Sequence, residues 1–160
     1  MLNIKNILNL GWSHGQYVDN WSFVHFFTGI ILGIGAIIIS SQHFWAFILI
    51  LLALIIYEYI EILAKVSEGF WNILLDIIIG GLGSAIAIFL LPEIMSKQNI
   101  FGILGLCVVA DLILLFHGWK NFLQRKASEG SSYKHILYVL YFLYISGTLI
   151  TIASFTYWLA

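Results

Sequence analysis

Charge is what this sequence has least of. Only 9% of its 160 residues are Asp, Glu, Lys or Arg, while 61% are hydrophobic; soluble globular domains carry roughly a quarter charged residues. Together with a mean hydropathy of +0.99, that shortage excludes a soluble globular domain. The net charge is −1, so the basic footprint of a nucleic-acid-binding protein is missing. Cysteine is almost absent as well: Cys107 stands alone in an apolar run, which rules out an intrachain disulfide and says nothing of the redox compartment. The chain has no Gly-x-Ser-x-Gly elbow, no P-loop and no Rossmann fingerprint. HExxH, paired ExxH and DxxDG spacings are missing too, and no internal repeat suggests a transporter built from inverted halves. The first residues do not read as a cleaved signal peptide: Asn3, Lys5, Asn6 and Asn9 interrupt the apolar stretch and no small-residue cleavage site follows.

What is present is apolar sequence in runs of membrane-helix length. A hydrocarbon core about 30 Å thick needs about 20 apolar residues per helix. The spans expected are 21–39, 44–63, 71–91, 100–119 and 136–159, the third stopped by Pro92. Residues 1–20 are expected to form a short interfacial segment with Trp12 at headgroup level. The predicted fold class is therefore all-α, a single integral membrane domain over residues 1–160 built as a polytopic bundle of about five transmembrane helices. Trp12, Trp21, Trp45, Trp71, Trp119 and Trp158 fall near the expected interfaces, as an aromatic belt should. With the N-terminus inside, Lys5, Lys65, Lys120, Arg125, Lys126 and Lys134 are cytoplasmic and only Lys97 is outside, so the positive-inside rule predicts a cytoplasmic N-terminus. Heavy use of Ile and Leu, with Asn and Lys beside them, fits an AT-rich bacterial genome. Four basic residues against Glu129 in the stretch 120–135 are expected to lie on anionic headgroups, each contributing about 1 kcal/mol.

The few charges are not scattered. Asp19, His25, Glu58, Glu61, Glu68 and Asp76 all fall at one end of three expected helices, and ionisable groups inside a bilayer are expensive enough to mark function by default. At 1.5 Å per residue, His25, Glu58 and Asp76 sit roughly 6–8 Å below the cytoplasmic boundary, with Asp19, Glu61 and Glu68 nearer the surface. Asn72, Asp76, Gly80, Gly83 and Ala87 fall on a stripe about 80° wide, polar at its cytoplasmic end and small-sided beyond. His25, Gly29 and Gly33 repeat that arrangement at i, i+4 spacing. Small residues let helix backbones approach closely, so the first and third spans are expected to pack together with His25 near Asp76 or Asn72. The plainer reading is that His25 and Asp76 hydrogen-bond each other as packing glue. Glu58 and Glu61 share one helix face; Lys65, four residues beyond Glu61, could neutralise it in a charged helix end reaching for water. Clustered carboxylates in low dielectric hold protons or bind a cation, and carboxylates with one imidazole suit Mg²⁺, Mn²⁺, Zn²⁺ or iron. Asp111, near mid-membrane, is expected to accept an interhelical hydrogen bond, with Thr148 or Thr151 as donor, or to serve as a proton or ion relay. Tyr138, Tyr141, Tyr144 and Tyr157 read as packing and interface residues, and His14, His43 and His135 as solvent-facing ones.

The run Asp19-Asn20-Trp21-Ser22-Phe23-Val24-His25-Phe26, the helix end Glu58-Tyr59-Ile60-Glu61, and Asn72 through Asp76 to Gly80, Gly81 and Gly83 resemble the VanZ-like membrane proteins and kindred small integral membrane families. The resemblance covers about residues 19–88. The family's Glu-x-x-Gln is Glu58-x-x-Glu61 here, and its following Arg-containing segment is missing. The resemblance implies a multi-helix bacterial inner-membrane protein, linked in some members to glycopeptide-antibiotic resistance, and it groups His25, Glu58, Glu61 and Asp76 in one site.

Three functions remain open at this point. The first is a cytoplasmic-facing site handling a lipid-linked or envelope-related substrate with a divalent cation. There His25, Glu58 and Asp76 are the candidate catalytic and metal-ligating residues, and Asp19, Glu61 and Asn72 the substrate-binding ones, with His25 or Glu58 as general base. The second is a homo-oligomeric proton, ion or solute transporter subunit that uses Asp111. The third is a structural or partner-binding membrane protein whose polar cluster only fixes helix packing. Whether the protein is an enzyme is not decided by the sequence.

Overall fold

The computed structural model of the protein describes residues 18–63 and 69–128, with side chains through Phe122. Every described element is helical, and four helices are long and apolar enough to cross a membrane: α1 Asn20–Ile39, α2 His43–Leu63, α3 Phe70–Ile94 and α4, whose apolar part is Lys97–Phe122 and which continues to Ser128. At 1.5 Å per residue, the 20 residues of α1 span about 30 Å, the thickness of a hydrocarbon core. The segments 1–20, for all but its last residues, and 136–159 lie outside the described residues, as do Lys65, Glu68, the four tyrosines and both threonines named above.

α1 is the central helix. Half of its spanning window is buried, against 22% for α2, because α2, α3 and α4 all pack on it. Its start is set by Asp19, whose carboxylate accepts from the Trp21 and Ser22 N–H groups; its end is set by the polar Ser40–Gln42 turn, in which the Ser40 hydroxyl accepts from the Gln42 N–H at 3.1 Å. At one end of the bundle Ile30, Ile31 and Ile34 pack against Ala87, Leu91, Ile100, Leu104 and Cys107. At the other, Trp21 and Val24 meet Leu115, and the Trp21 and Trp119 rings stand edge-to-face at 5.8 Å. The outer faces of α2 and α4 carry Leu49, Ile55, Ile56, Leu106, Val109, Ile113 and Phe116, all exposed. Such contiguous apolar surface is costly in water and appropriate against lipid.

The α1–α3 contact expected from small residues is present and very close. A Cβ built on Gly29 would overlap the Gly80 carbonyl oxygen, and one on Gly83 the Phe26 carbonyl oxygen. Gly80 is where three helices meet: a Cβ there would lie 3.0 Å from Leu54 of α2 and 3.1 Å from the His25 carbonyl oxygen of α1. One helical turn away from that point, the three helices carry His25, Glu58 and Asp76.

Two expected boundaries are corrected. Pro92 does not stop the third span, which runs on to Ile94. Proline cannot donate to the carbonyl four residues back; the preceding turn widens into a π segment, Ile86–Leu90, in which the Leu91 N–H donates to the Ile86 carbonyl. That puts Pro92 in the first turn of the following helical piece, where a missing N–H costs nothing. The stretch after Trp119 was expected to leave the helix; α4 instead continues to Ser128. Lys120, Asn121, Gln124, Arg125 and Lys126 are polar but compatible with helix, and loss of hydropathy marks the membrane boundary rather than the helix end.

Candidate metal centre

His25 leaves α1 on the face that the small residues turn toward α3, Glu58 lies just over a turn before the end of α2, and Asp76 lies nearly two turns into α3. All three side chains are buried. His25 Nε2 is 3.3 Å from Glu58 Oε1 and 4.0 Å from Asp76 Oδ2; one potential ligand atom from each residue lies within 4.8 Å of the others. Residues 33 and 51 positions from His25 in the chain thus meet at one point, because Gly80 lets the α1 backbone and the Leu54 side chain of α2 close in on α3.

Asp76, which has no exposed surface, is held at both oxygens. Asn72 Nδ2, one turn earlier on the same helix, donates to Oδ2 at 2.8 Å, and Ser22 Oγ on α1 donates to Oδ1 at 2.5 Å. Each carboxylate oxygen has two lone pairs, so both donors can be served while Oδ2 still faces His25. The Tyr57 ring stands edge-to-face with the imidazole at 5.5 Å.

Of the residues expected to bind substrate, Asn72 stands beside the centre and orients Asp76. Asp19 is the N-cap of α1: its Oδ1 accepts from the Trp21 N–H at 2.7 Å and the Ser22 N–H at 3.3 Å. It is buried, not on the rim where its sequence position suggested, because capping turns the carboxylate inward over the helix start. Glu61, expected nearer water and neutralised by Lys65, is also buried. It shares the Glu58 face of α2, which is the face turned to α1 and α3. Ser22 and Tyr57 were missed by sequence reasoning. For Ser22 a signal existed, since Asp19-x-x-Ser22 has capping-box spacing and that geometry is realised here. For Tyr57, between Ile56 and Glu58, no motif or spacing pointed to a contact with His25.

Asp111 forms an interhelical hydrogen bond to α1: Thr28 Oγ1 donates to its Oδ2 at 3.2 Å. Asp111 is fully buried, so this bond ties α4 to α1 within the apolar layer. Thr28→Val keeps the shape and removes the donor. It is expected to lower stability by about 1–3 kcal/mol, the cost of taking a partner from a buried polar group, read as a lower thermal midpoint in detergent. Thr28→Ser should retain most of the wild-type value.

The donor set fits a divalent cation. One imidazole and two carboxylates suit Mn²⁺, Fe²⁺, Zn²⁺ or Mg²⁺. With bonds of about 2.0–2.2 Å, neighbouring ligand atoms of a four-coordinate ion lie roughly 3.3–3.6 Å apart; the His25–Glu58 separation of 3.3 Å is already in that range. The His25–Asp76 separation of 4.0 Å needs a closure of a few tenths of an ångström, and the widest separation in the group, within 4.8 Å, one of about an ångström. Two carboxylates and an imidazole taken out of water also call for compensating positive charge, which a divalent cation supplies in full and a proton on His25 by half. The chain matches no protein-family model, no curated protein and no solved structure.

Proposed function

We propose that this is a bacterial inner-membrane protein that works through a divalent-cation centre at His25, Glu58 and Asp76, buried on the cytoplasmic side and acting on a lipid-linked or envelope-related substrate. The observation that carries the reading is the convergence of one imidazole and two carboxylates, buried and from three different helices, within 4.8 Å of one another. Packing alone has no need of that combination, because glycines already let α1 and α3 approach closely and seat Leu51 and Leu54 of α2. The six-to-one bias of Lys and Arg supports an orientation with the centre near the cytoplasm, where precursors of envelope polymers are at hand. The similarity of the Asp19–Phe26, Glu58–Glu61 and Asn72–Gly83 segments to VanZ-like proteins supports an envelope role, and a fifth span over residues 136–159 completes the topology.

A bound divalent ion would supply Lewis acidity and a more acidic water. His25, Glu58 and Asp76 would hold it, with His25 or Glu58 as the general base that takes up the proton released at the substrate. Burial of the trio limits access of bulk water.

The test is elemental analysis of the full chain purified in detergent, combined with mass spectrometry of lipid-linked envelope precursors incubated with it in proteoliposomes. Wild type is expected to carry about one equivalent of a divalent metal and to convert a lipid-linked substrate. His25→Ala, Glu58→Ala and Asp76→Ala should each abolish conversion and deplete metal while the protein still inserts. Unchanged metal content and unchanged lipid products in all three variants would sink the proposal.

A further inference from the structure

The His25–Glu58–Asp76 centre accounts for three side chains, but Ser22 belongs to two networks at once. Its Oγ accepts from the Asp19 N–H at 3.3 Å and donates to Asp76 Oδ1 at 2.5 Å. The Asp19 carboxylate in turn accepts from the Trp21 and Ser22 N–H groups. A continuous run of hydrogen bonds therefore leads from the first turn of α1 to the carboxylate of α3: Asp19 N–H to Ser22 Oγ–H to Asp76 Oδ1. Ser22 and Asp76 are both essentially inaccessible to solvent, so water does not compete for these bonds, and each bond in such a run polarises the next.

We propose that Ser22 is the positioning residue of the centre: it fixes the rotamer of Asp76 and couples ordering of the α1 N-terminus to occupancy by a divalent cation. This rests on the reading of the site as a metal centre. Asn72 cannot do the same work alone. It is one turn from Asp76 on the same helix, so its bond follows Asp76 wherever α3 goes. Ser22 comes from a different helix and sets where Oδ2 stands relative to His25, a side chain of its own helix one turn away. Partners of this kind, which hydrogen-bond a ligand without touching the metal, typically govern affinity by 10–100-fold. Coupling is reciprocal by linkage: a cation that pins Asp76 also holds Ser22, and with it the capping box of α1.

Serine at this position leaves a simple set of variants. Ser22→Ala removes both bonds in one step, Ser22→Thr keeps the hydroxyl, and Asp19→Asn weakens the cap without removing the Ser22–Asp76 bond. The full chain in lipid nanodiscs is titrated with Mn²⁺ and with Zn²⁺, and hydrogen exchange is followed at the Trp21 and Ser22 amides. Wild type should bind, Ser22→Ala should bind 10–100-fold more weakly, and Ser22→Thr should recover most of the affinity. Exchange at the Trp21 and Ser22 amides should slow on metal addition in wild type. A purely structural serine would lower the melting temperature of the metal-free protein without changing the affinity of the molecules that remain folded. If wild type binds and Ser22→Ala binds equally well, the positioning role is wrong and the centre stands. If wild type binds neither ion, the centre itself is wrong and this inference falls with it. Should Ser22→Ala not fold, metal-independent exchange at the two wild-type amides is enough to overturn the coupling.

Discussion

Gly29→Ala is expected to destabilise the protein by about 3 kcal/mol or more, at or beyond the top of the range for overpacking. The reason is what the added methyl would meet. It would overlap the carbonyl oxygen of Gly80, and it would come within 3.1 Å of the Ser84 backbone nitrogen. Neither is the far end of a flexible side chain, so relief requires α1 and α3 to move apart along their whole contact. That separation also withdraws His25 from Asp76, since both lie about one turn from the point of closest approach. The variant should therefore lose affinity for a divalent cation together with stability. Gly102→Ala is the control. Gly102 is an exposed residue of α4 with nothing within 4 Å of a built Cβ among the described residues, and replacing a mid-helix glycine by alanine is worth about 0.5–1 kcal/mol in favour of the helix. Thermal midpoints in detergent should move down for Gly29→Ala and slightly up for Gly102→Ala. A Gly29→Ala midpoint equal to that of wild type would mean that α1 and α3 do not approach through Gly29.

The membrane helices were legible because their signal is coarse. Twenty apolar residues in a row have few alternatives, and the helices observed begin within three residues of where α1, α2, α3 and α4 were expected. The ends were less legible where hydropathy and helicity part company. After Trp119 the sequence becomes polar, yet the helix continues to Ser128 because nothing breaks it. At Pro92 a breaker is present, yet the helix survives because a π segment absorbs the missing donor. At the site, helical periodicity was enough to place His25 opposite Asp76, since Gly29, Gly33, Gly80 and Gly83 mark facing stripes. Glu58 joined them because depth, counted from the helix ends, put it level with the other two. Periodicity carries no information about which short side chain reaches across a contact, and so Ser22 and Thr28 went unnoticed as partners of Asp76 and Asp111. Asp19 illustrates a different limit: an acidic residue before a helix reads equally as a surface charge or a cap, and only the backbone N–H groups of Trp21 and Ser22 decide between them.

Divalent metal should stabilise the folded protein by an amount set by mass action, and loss of any one ligand should remove most of it. At a free concentration 100 times the dissociation constant, a ligand that binds only the folded state adds about 2.7 kcal/mol. His25, Glu58 and Asp76 come from α1, α2 and α3, so an ion held by all three opposes separation of every pair of these helices. If losing one protein ligand weakens binding about 100-fold, the same metal concentration then adds only about 0.4 kcal/mol. Glu58→Gln is the most informative variant, because it keeps the shape of the side chain while removing the charge and half of its capacity to ligate. Its metal-free stability depends on several compensating effects and decides nothing alone. The increment produced by Mn²⁺ or Zn²⁺ is the diagnostic quantity, and chelation by EDTA should abolish it in wild type. Packing glue predicts something different: Glu58→Gln would shift the midpoint with and without metal by the same amount, and wild type would show no increment for EDTA to remove. A wild-type increment that survives unchanged in His25→Ala, Glu58→Gln and Asp76→Asn would place the ion elsewhere on the protein. The pattern expected for a centre built by three helices is one large increment in wild type and three small ones in the variants, each from a different helix.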